Sequence, residues 1–187
     1  MKEYLYREGQ QNDFRDFAFV LYGYKEDFIE LVAKTSKILD AGCGNGYFLQ
    51  YLQERGYKNI WGIDIVGEAV KQTKEKVGAL LTIQEMDIHS TDFPDSFFDA
   101  VSASHILEHT PFPKVVIREI VRITKPGGFV FFDIPIEHTN EGSSAHLFYF
   151  HKPEEFLAYL SKVNVIKSQL GYGDYSNHFV VIGIVVK

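Results

Sequence analysis

An α/β fold, with an open and mostly parallel sheet covered by helices on both faces, is what the 187-residue sequence predicts. Three observations carry that expectation. Ile38-Leu39-Asp40-Ala41 is a short apolar run with an acid near its end, Gly42, Gly44 and Gly46 follow at alternate positions, and Phe48, Leu49 and Leu52 then mark one helix face. The segment reads strand, tight turn, helix. A second strand-like run, Asn59-Ile60-Trp61-Gly62-Ile63-Asp64, also ends in an acid. It lies about 20 residues beyond the glycines, the separation at which an acid reaches a ribose hydroxyl pair in a βαβ nucleotide site. Apolar runs of strand length then alternate with amphipathic stretches of helix length as far as Pro135.

Composition bounds the rest. With 45% hydrophobic and 24% charged residues, the chain fits a single domain, 1–187, with a sizeable core. A formal charge of -6 offers no general attraction to nucleic acid or an anionic membrane, so neither is expected as a partner. A small uncharged or cationic substrate, or a protein, is easier to accommodate. The lone cysteine, Cys43, excludes an internal disulfide and a cysteine metal cluster, and no metal site is expected. Met1-Lys2-Glu3-Tyr4 alternates in charge where a leader would have a basic start, and no stretch approaches the length of a membrane span. A cytoplasmic protein is the expectation.

Residues 1–36 read as a helical cap, in which Phe14, Phe17, Leu21, Tyr24, Phe28, Leu31 and Val32 recur at helical spacing with an interruption at Gly23. The glycine loop comes next. A dinucleotide fingerprint requires glycine at the sixth position, here Tyr47, and the carboxylate of Asp40 would repel a pyrophosphate. A ligand carrying positive charge suits it. The segment resembles motif I of the class I S-adenosylmethionine (SAM)-dependent methyltransferases, Asp-x-Gly-x-Gly-x-Gly, matched at Asp40, Gly42, Gly44 and Gly46 with Cys43 inside the loop. Taken alone it also fits a bare strand–turn–helix or a nucleotide loop of another type.

That resemblance implies SAM as cofactor and S-adenosylhomocysteine as product. Asp64 then becomes the ribose ligand, with Ile65 beside it on the adenine face. Glu68 to Val77 is a helix whose Lys71, Lys74 and Lys76 form a solvated face. Ala79 to Met86 is the third strand, and the resemblance assigns Asp87 to the adenine amino group and the Ile88 N–H to a ring nitrogen. His89 to Asp95 is a crossing loop, followed by the Phe98–Ser104 strand whose end, Ser104, is assigned to the cofactor site. In the N-terminal cap, aromatic residues that cover a sheet compete with a lid formed by Tyr4, Tyr6 or Tyr22, as the resemblance implies.

His105-Ile106-Leu107-Glu108-His109 leaves the carboxyl end of the fourth strand, where open α/β sheets place active-site loops. His105 and His109 would share a helix face, yet no third ligand follows at a diagnostic spacing, so the metal reading is weak. The Leu-Glu-His element also resembles one common in small-molecule methyltransferases, where the histidine is often structural. Pro113 to Ile123 is an amphipathic helix, stopped by Lys125-Pro126-Gly127-Gly128, another point of resemblance, before a buried strand Phe129–Pro135. Residues 137–151 begin as a polar loop that can fold over an acceptor pocket. Pro153–Leu160 is a helix, and Asn164–Gly171 with Phe179–Val186 forms a hairpin around Tyr172-Gly173-Asp174 that closes the sheet edge.

The resemblance implies a Rossmann-like, seven-stranded, mostly parallel sheet whose last strand is antiparallel. The core over 37–135 holds the cofactor, and 136–187 forms the acceptor side. The activity implied is methyl transfer to a small-molecule acceptor. For a hydroxyl acceptor, His109, His138 and His146 are the candidate general bases, being imidazoles on segments that leave the fourth and fifth strands. A protein methyltransferase, a nicotinamide oxidoreductase and a non-catalytic SAM-binding scaffold are the competing readings.

Overall fold

The computed structural model describes residues 24–78, 81–137, 145–172 and 178–186. Expectations for Tyr4, Tyr6, Phe14, Phe17, Leu21, Tyr22, Ala79, His138, Gly173 and Asp174 lie outside the described residues. A helical stretch over 24–30 (α1) leads into β1 (Lys37–Ala41), α2 (Tyr47–Glu54), β2 (Asn59–Asp64) and α3 (Gly67–Val77). After these come β3 (Thr82–Glu85), β4 (Phe98–Ser104), a 3₁₀ turn (Leu107–His109) and α4 (Pro113–Ile123). The chain continues through β5 (Thr124–Pro135), α5 (Pro153–Leu160), β6 (Val165–Tyr172) and β7 (His178–Val185).

Seven strands form one sheet in the order β3-β2-β1-β4-β5-β7-β6. The first five are parallel, and β7 runs antiparallel between β5 and β6. Period-two alternation divides the core. Leu39, Val101, Val130, Phe132 and Val181 face α4 and α5, whereas Ile38, Ile60, Ala100, Phe131 and Ile182 face the side covered by α1, α2 and α3. Among the described residues no helix is long and apolar enough to cross a membrane.

Three expectations change in detail. The Lys125-Pro126-Gly127-Gly128 segment lies inside β5, as a bulge where Phe98 pairs with Thr124 and Ala100 with Phe129. Helix α4 therefore ends at Ile123, and its last turn continues straight into the sheet. Leu31 is exposed because α1 ends at residue 30, so the apolar face closes on Phe28 and Val32. His105 and His109 share no helix, since His105 sits in a left-handed conformation (φ 53) before the 3₁₀ turn begins.

Strand order reverses between β1 and β4, because one neighbour of β1 is β2 and the other is β4. At such a switch point, at the carboxyl ends of the strands, open α/β sheets place their ligand crevice. The opposite end is closed by polar contacts. Asp99 accepts the Lys37 backbone N–H at 2.8 Å and pairs with Lys125 Nζ at 2.7 Å.

Candidate active site

The glycine loop is shaped by backbone geometry and by one close approach. Gly42, Gly44 and Gly46 all have positive φ. A Cβ at Gly42 would collide with Ile106 Cγ2, so this glycine lets the loop after β4 lie against the loop after β1. A Cβ at Gly44 would meet no protein atom within 4 Å, which leaves its surface clear for a ligand. Helix α2 starts at Gly46 without a side-chain cap, so donors of its first turn remain available.

Asp64 joins the two halves of this cradle. One carboxylate oxygen accepts the Gly44 N–H at 2.8 Å and the other the Val66 N–H at 2.9 Å. Each oxygen keeps a further lone pair for a hydroxyl. Thr73 Oγ1, from α3, donates to the Gly44 carbonyl at 2.6 Å and fixes the loop from the other side. Ile65 is half-buried beside Asp64. Asp87 is exposed past the end of β3 and accepts the His89 N–H at 2.9 Å, while Ile88 packs at the rim of the core.

Asp40 lies below the loop, 4% exposed. Burial pushes its carboxyl up to about 6, partly offset by Lys25. Lys25 is itself buried, with Nζ 4.2 Å from the Phe48 ring centroid, and burial lowers its pKa while Asp40 and Asp133 act to raise it. Sequence patterning gives no sign of this buried lysine, which sits in a helix read for its aromatic face. The Cys43 thiol is buried, and its pKa is raised by that burial and by Asp40 and Asp64, which leaves it unreactive.

On the acceptor side the structure gathers imidazoles and carboxylates. Ser104 is registered against Asp133 across β4 and β5, and its Oγ is buried without a hydrogen bond among the described residues. His105 Nδ1 lies 3.1 Å from Glu108 Oε1, and its Nε2 3.3 Å from Asp133 Oδ2. His178, at the start of β7, places Nδ1 3.2 Å from Asp133 Oδ1. Burial alone would lower the His105 pKa, but Asp133 and Glu108 raise it to about 10. Asp133 would be raised by burial, and the two histidines hold it well below the usual carboxylate range.

His109 and His146 are brought together, with ring centroids 5.1 Å apart. His109 Nδ1 is 3.1 Å from the Ala145 carbonyl, and His146 Nδ1 is 2.8 Å from Glu137 Oε2. The returning segment is pinned where Leu147 and Phe148 donate backbone N–H groups to the Glu108 carbonyl at 2.7 and 3.1 Å. Sequence reasoning passed over Asp133 and His178 as site residues, and weighed Glu108 only within the His105–His109 stretch. The visible signal was Asp133, an acid inside the otherwise apolar run Phe129–Ile134.

Comparison with known proteins bears on the family and the fold. A family model described as a methyltransferase domain matches residues 39–132. The ubiquinone biosynthesis O-methyltransferase of Pseudomonas fluorescens is 31% identical over 148 residues, which cover 76% of this chain and 60% of that protein. The chain thus spans about 60% of the length of that curated relative. Burkholderia thailandensis 1,6-didemethyltoxoflavin-N1-methyltransferase, solved with 1,6-didemethyltoxoflavin and S-adenosylhomocysteine, has a TM-score of 0.75 at 15% identity, covering 94% of this chain and 83% of that one. The [4+2]-cyclase SpnF has the same TM-score at 16% identity, covering 87% and 80%. At these identities the likeness concerns the fold, and SpnF shows that the fold also hosts other chemistry. With motif I, the acid that ends β2 and the sheet order in agreement with the matched domain, the chain belongs to the class I SAM-dependent methyltransferase family.

Proposed function

We propose that this protein transfers a methyl group from SAM to a small-molecule acceptor. The observation that carries the reading is the cradle at Gly44, open to a ligand and flanked by Asp64, within a chain that matches the methyltransferase domain. When bound, SAM supplies a methyl carbon on a sulfonium, so that an acceptor lone pair forms the new bond as the carbon–sulfur bond breaks in line. The chain's own residues bind, align and exclude water. Asp64 holds the ribose hydroxyls, the region of Ile65, Asp87 and Ile88 receives the adenine, and Gly42 to Gly46 give the ligand room against the main chain. Asp40 acts from beneath as a negative charge facing a cationic ligand.

Alignment at near-attack distance supplies much of the rate in such a displacement. A base is needed only for an acceptor that loses a proton, and His109 and His146 are the described candidates. Glu137 orients the His146 ring through Nδ1, as the Ala145 carbonyl does for His109, which leaves Nε2 as the basic nitrogen in each. His105, held between two carboxylates, suits a cation better than a base.

Calorimetry with SAM and S-adenosylhomocysteine tests the reading. Binding at micromolar affinity or tighter, about 8 kcal/mol, is expected. Folded protein that gives neither heat nor thermal stabilisation at millimolar ligand would refute it. Binding without turnover across hydroxyl, amine and thiol acceptors would instead indicate a SAM-binding scaffold.

A further inference from the structure

We infer that His105, Asp133 and His178 form a site for one divalent ion of the zinc class, with Glu108 orienting His105 and a fourth position open toward the acceptor. The three residues come from the exit of β4, the end of β5 and the start of β7, and their ligand atoms lie within 4.8 Å of one another. Two imidazoles and one carboxylate are a donor set that suits zinc and its first-row neighbours, with one position left for water or substrate.

Spacing supports this. Ligands of a tetrahedral ion bound at about 2.0–2.1 Å stand about 3.3 Å apart. His105 Nε2 is 3.3 Å from Asp133 Oδ2, and His178 Nδ1 is 3.2 Å from Asp133 Oδ1. A charge-assisted hydrogen bond in a buried pair closes to about 2.7–2.9 Å. Each imidazole nitrogen thus stands at co-ligand separation from a different oxygen of the one carboxylate, which would hold the ion between them.

Burial gives an independent reason. Asp133 is 0% exposed, and among the described residues its Oδ2 has only the 3.3 Å approach of His105 Nε2, while Glu108 is 1% exposed and its Oε2 has no hydrogen bond among them. Among the described residues neither carboxylate forms an ion pair with lysine or arginine, and imidazoles face them instead. Two buried carboxylates face the single charge that a protonated His105 supplies, and a divalent ion taking the place of that proton would balance both.

The shell behind the site is also built. Glu108 Oε1 faces His105 Nδ1 at 3.1 Å, which is the carboxylate–histidine–metal arrangement. His105 adopts φ 53, a conformation costly for a residue with a Cβ, and its backbone N–H donates to the Asp133 carbonyl at 3.0 Å. The strain keeps the ring over Asp133. The His105 side chain is 28% exposed while its Nε2 is buried beside Asp133, so the ring itself borders the entry to the site.

The role assigned to the ion rests on the methyltransferase reading. An acceptor oxygen in the open position would lose its proton at lower pH, which makes hydroxyl compounds with an ionisable oxygen the substrate class.

The test uses untagged full-length protein stripped with a chelator. Calorimetry with Zn²⁺ and the visible absorption of Co²⁺ should both report one four-coordinate ion per chain. Asp133→Asn and His178→Ala should each weaken ion binding by about 100-fold or more, and Glu108→Gln by about 10–100-fold. His151→Ala should leave it unchanged. Retained S-adenosylhomocysteine binding shows that each variant is folded.

The absence of ion binding to protein that binds S-adenosylhomocysteine would overturn the site and leave the function intact. Ion binding without any cofactor binding would do the reverse. Binding that survives His178→Ala and fails in His109→Ala and His146→Ala would move the ion to the neighbouring Glu108, His109 and His146 cluster and overturn the assignment. No ion, with Asp133→Asn weakening SAM but not S-adenosylhomocysteine, would show that the acid serves the sulfonium instead.

Discussion

Asp64 already accepts two backbone N–H groups, from Gly44 and Val66, so it organises the cradle in addition to the ribose contact proposed for it. Asp64→Ala removes both functions. Cofactor affinity should fall by about 1.5–3 kcal/mol, the usual worth of hydrogen bonds to a charged group. Asp64→Asn, which keeps one acceptor oxygen, should lose less, and calorimetry on the pair separates positioning from charge. Asp40 gives a pH dependence with a definite sign. Its folded pKa, about 6, is above the ordinary value of 3.8, so ionising it costs the folded state stability. That cost is absent below pH 3.8, grows as pH rises toward 6, and is then constant at about 3 kcal/mol. A cationic ligand favours the ionised form. Affinity for SAM should therefore be full above pH 6 and fall by up to about tenfold per pH unit below it. Asp40→Asn should flatten that profile, and an unchanged profile in the variant would remove Asp40 from the linkage.

At the scale of elements, the contact between the loops after β1 and β4 is the joint of the site. Gly42→Ala faces a left-handed φ of 74 and drives a methyl into Ile106, so it should cost more than the 1–2 kcal/mol or so of the backbone strain alone. Its effect should spread to His105 and Glu108, which flank Ile106. Gly44→Ala, at φ 46 with open space around it, should cost only about 1–2 kcal/mol in stability. Its ligand affinity should drop further than that of Gly42→Ala, because its methyl occupies the cradle. Urea unfolding and calorimetry on both variants read the two orders, which should be opposite.

Over the whole molecule, the proposed ligand site lies where the two halves of the sheet diverge, so occupancy should be felt as global stability. S-adenosylhomocysteine at 100 times its Kd should raise the unfolding free energy by about 2.7 kcal/mol if it binds the native state alone. Denaturant titration with and without ligand checks this, and a shift confined to a local probe would place the ligand on a separately melting part.

The elements themselves were legible in the sequence because their causes are local. Apolar periodicity set Asn59–Asp64 and Pro113–Ile123 to the residue, and the glycine loop announced its turn. The Lys125–Gly128 segment was misjudged because the same residues that stop a helix also make a strand bulge, and only pairing with β4 distinguishes the two. The grouping of Asp40, the glycines and Asp64 was likewise visible, since they follow one another across a single strand–helix–strand unit. His109 and His146 were singled out too and lie together, but the grouping of His105, Asp133 and His178 was not visible. His105 and Asp133 meet because β4 and β5 pair with Ser104 opposite Asp133. His178 joins them because β7 inserts antiparallel beside β5, with Pro135 opposite His178 and Asp133 opposite Val180. Local spacing determines which face a side chain takes, whereas strand order and register, set by the packing of the entire core, decide which distant side chains share that face.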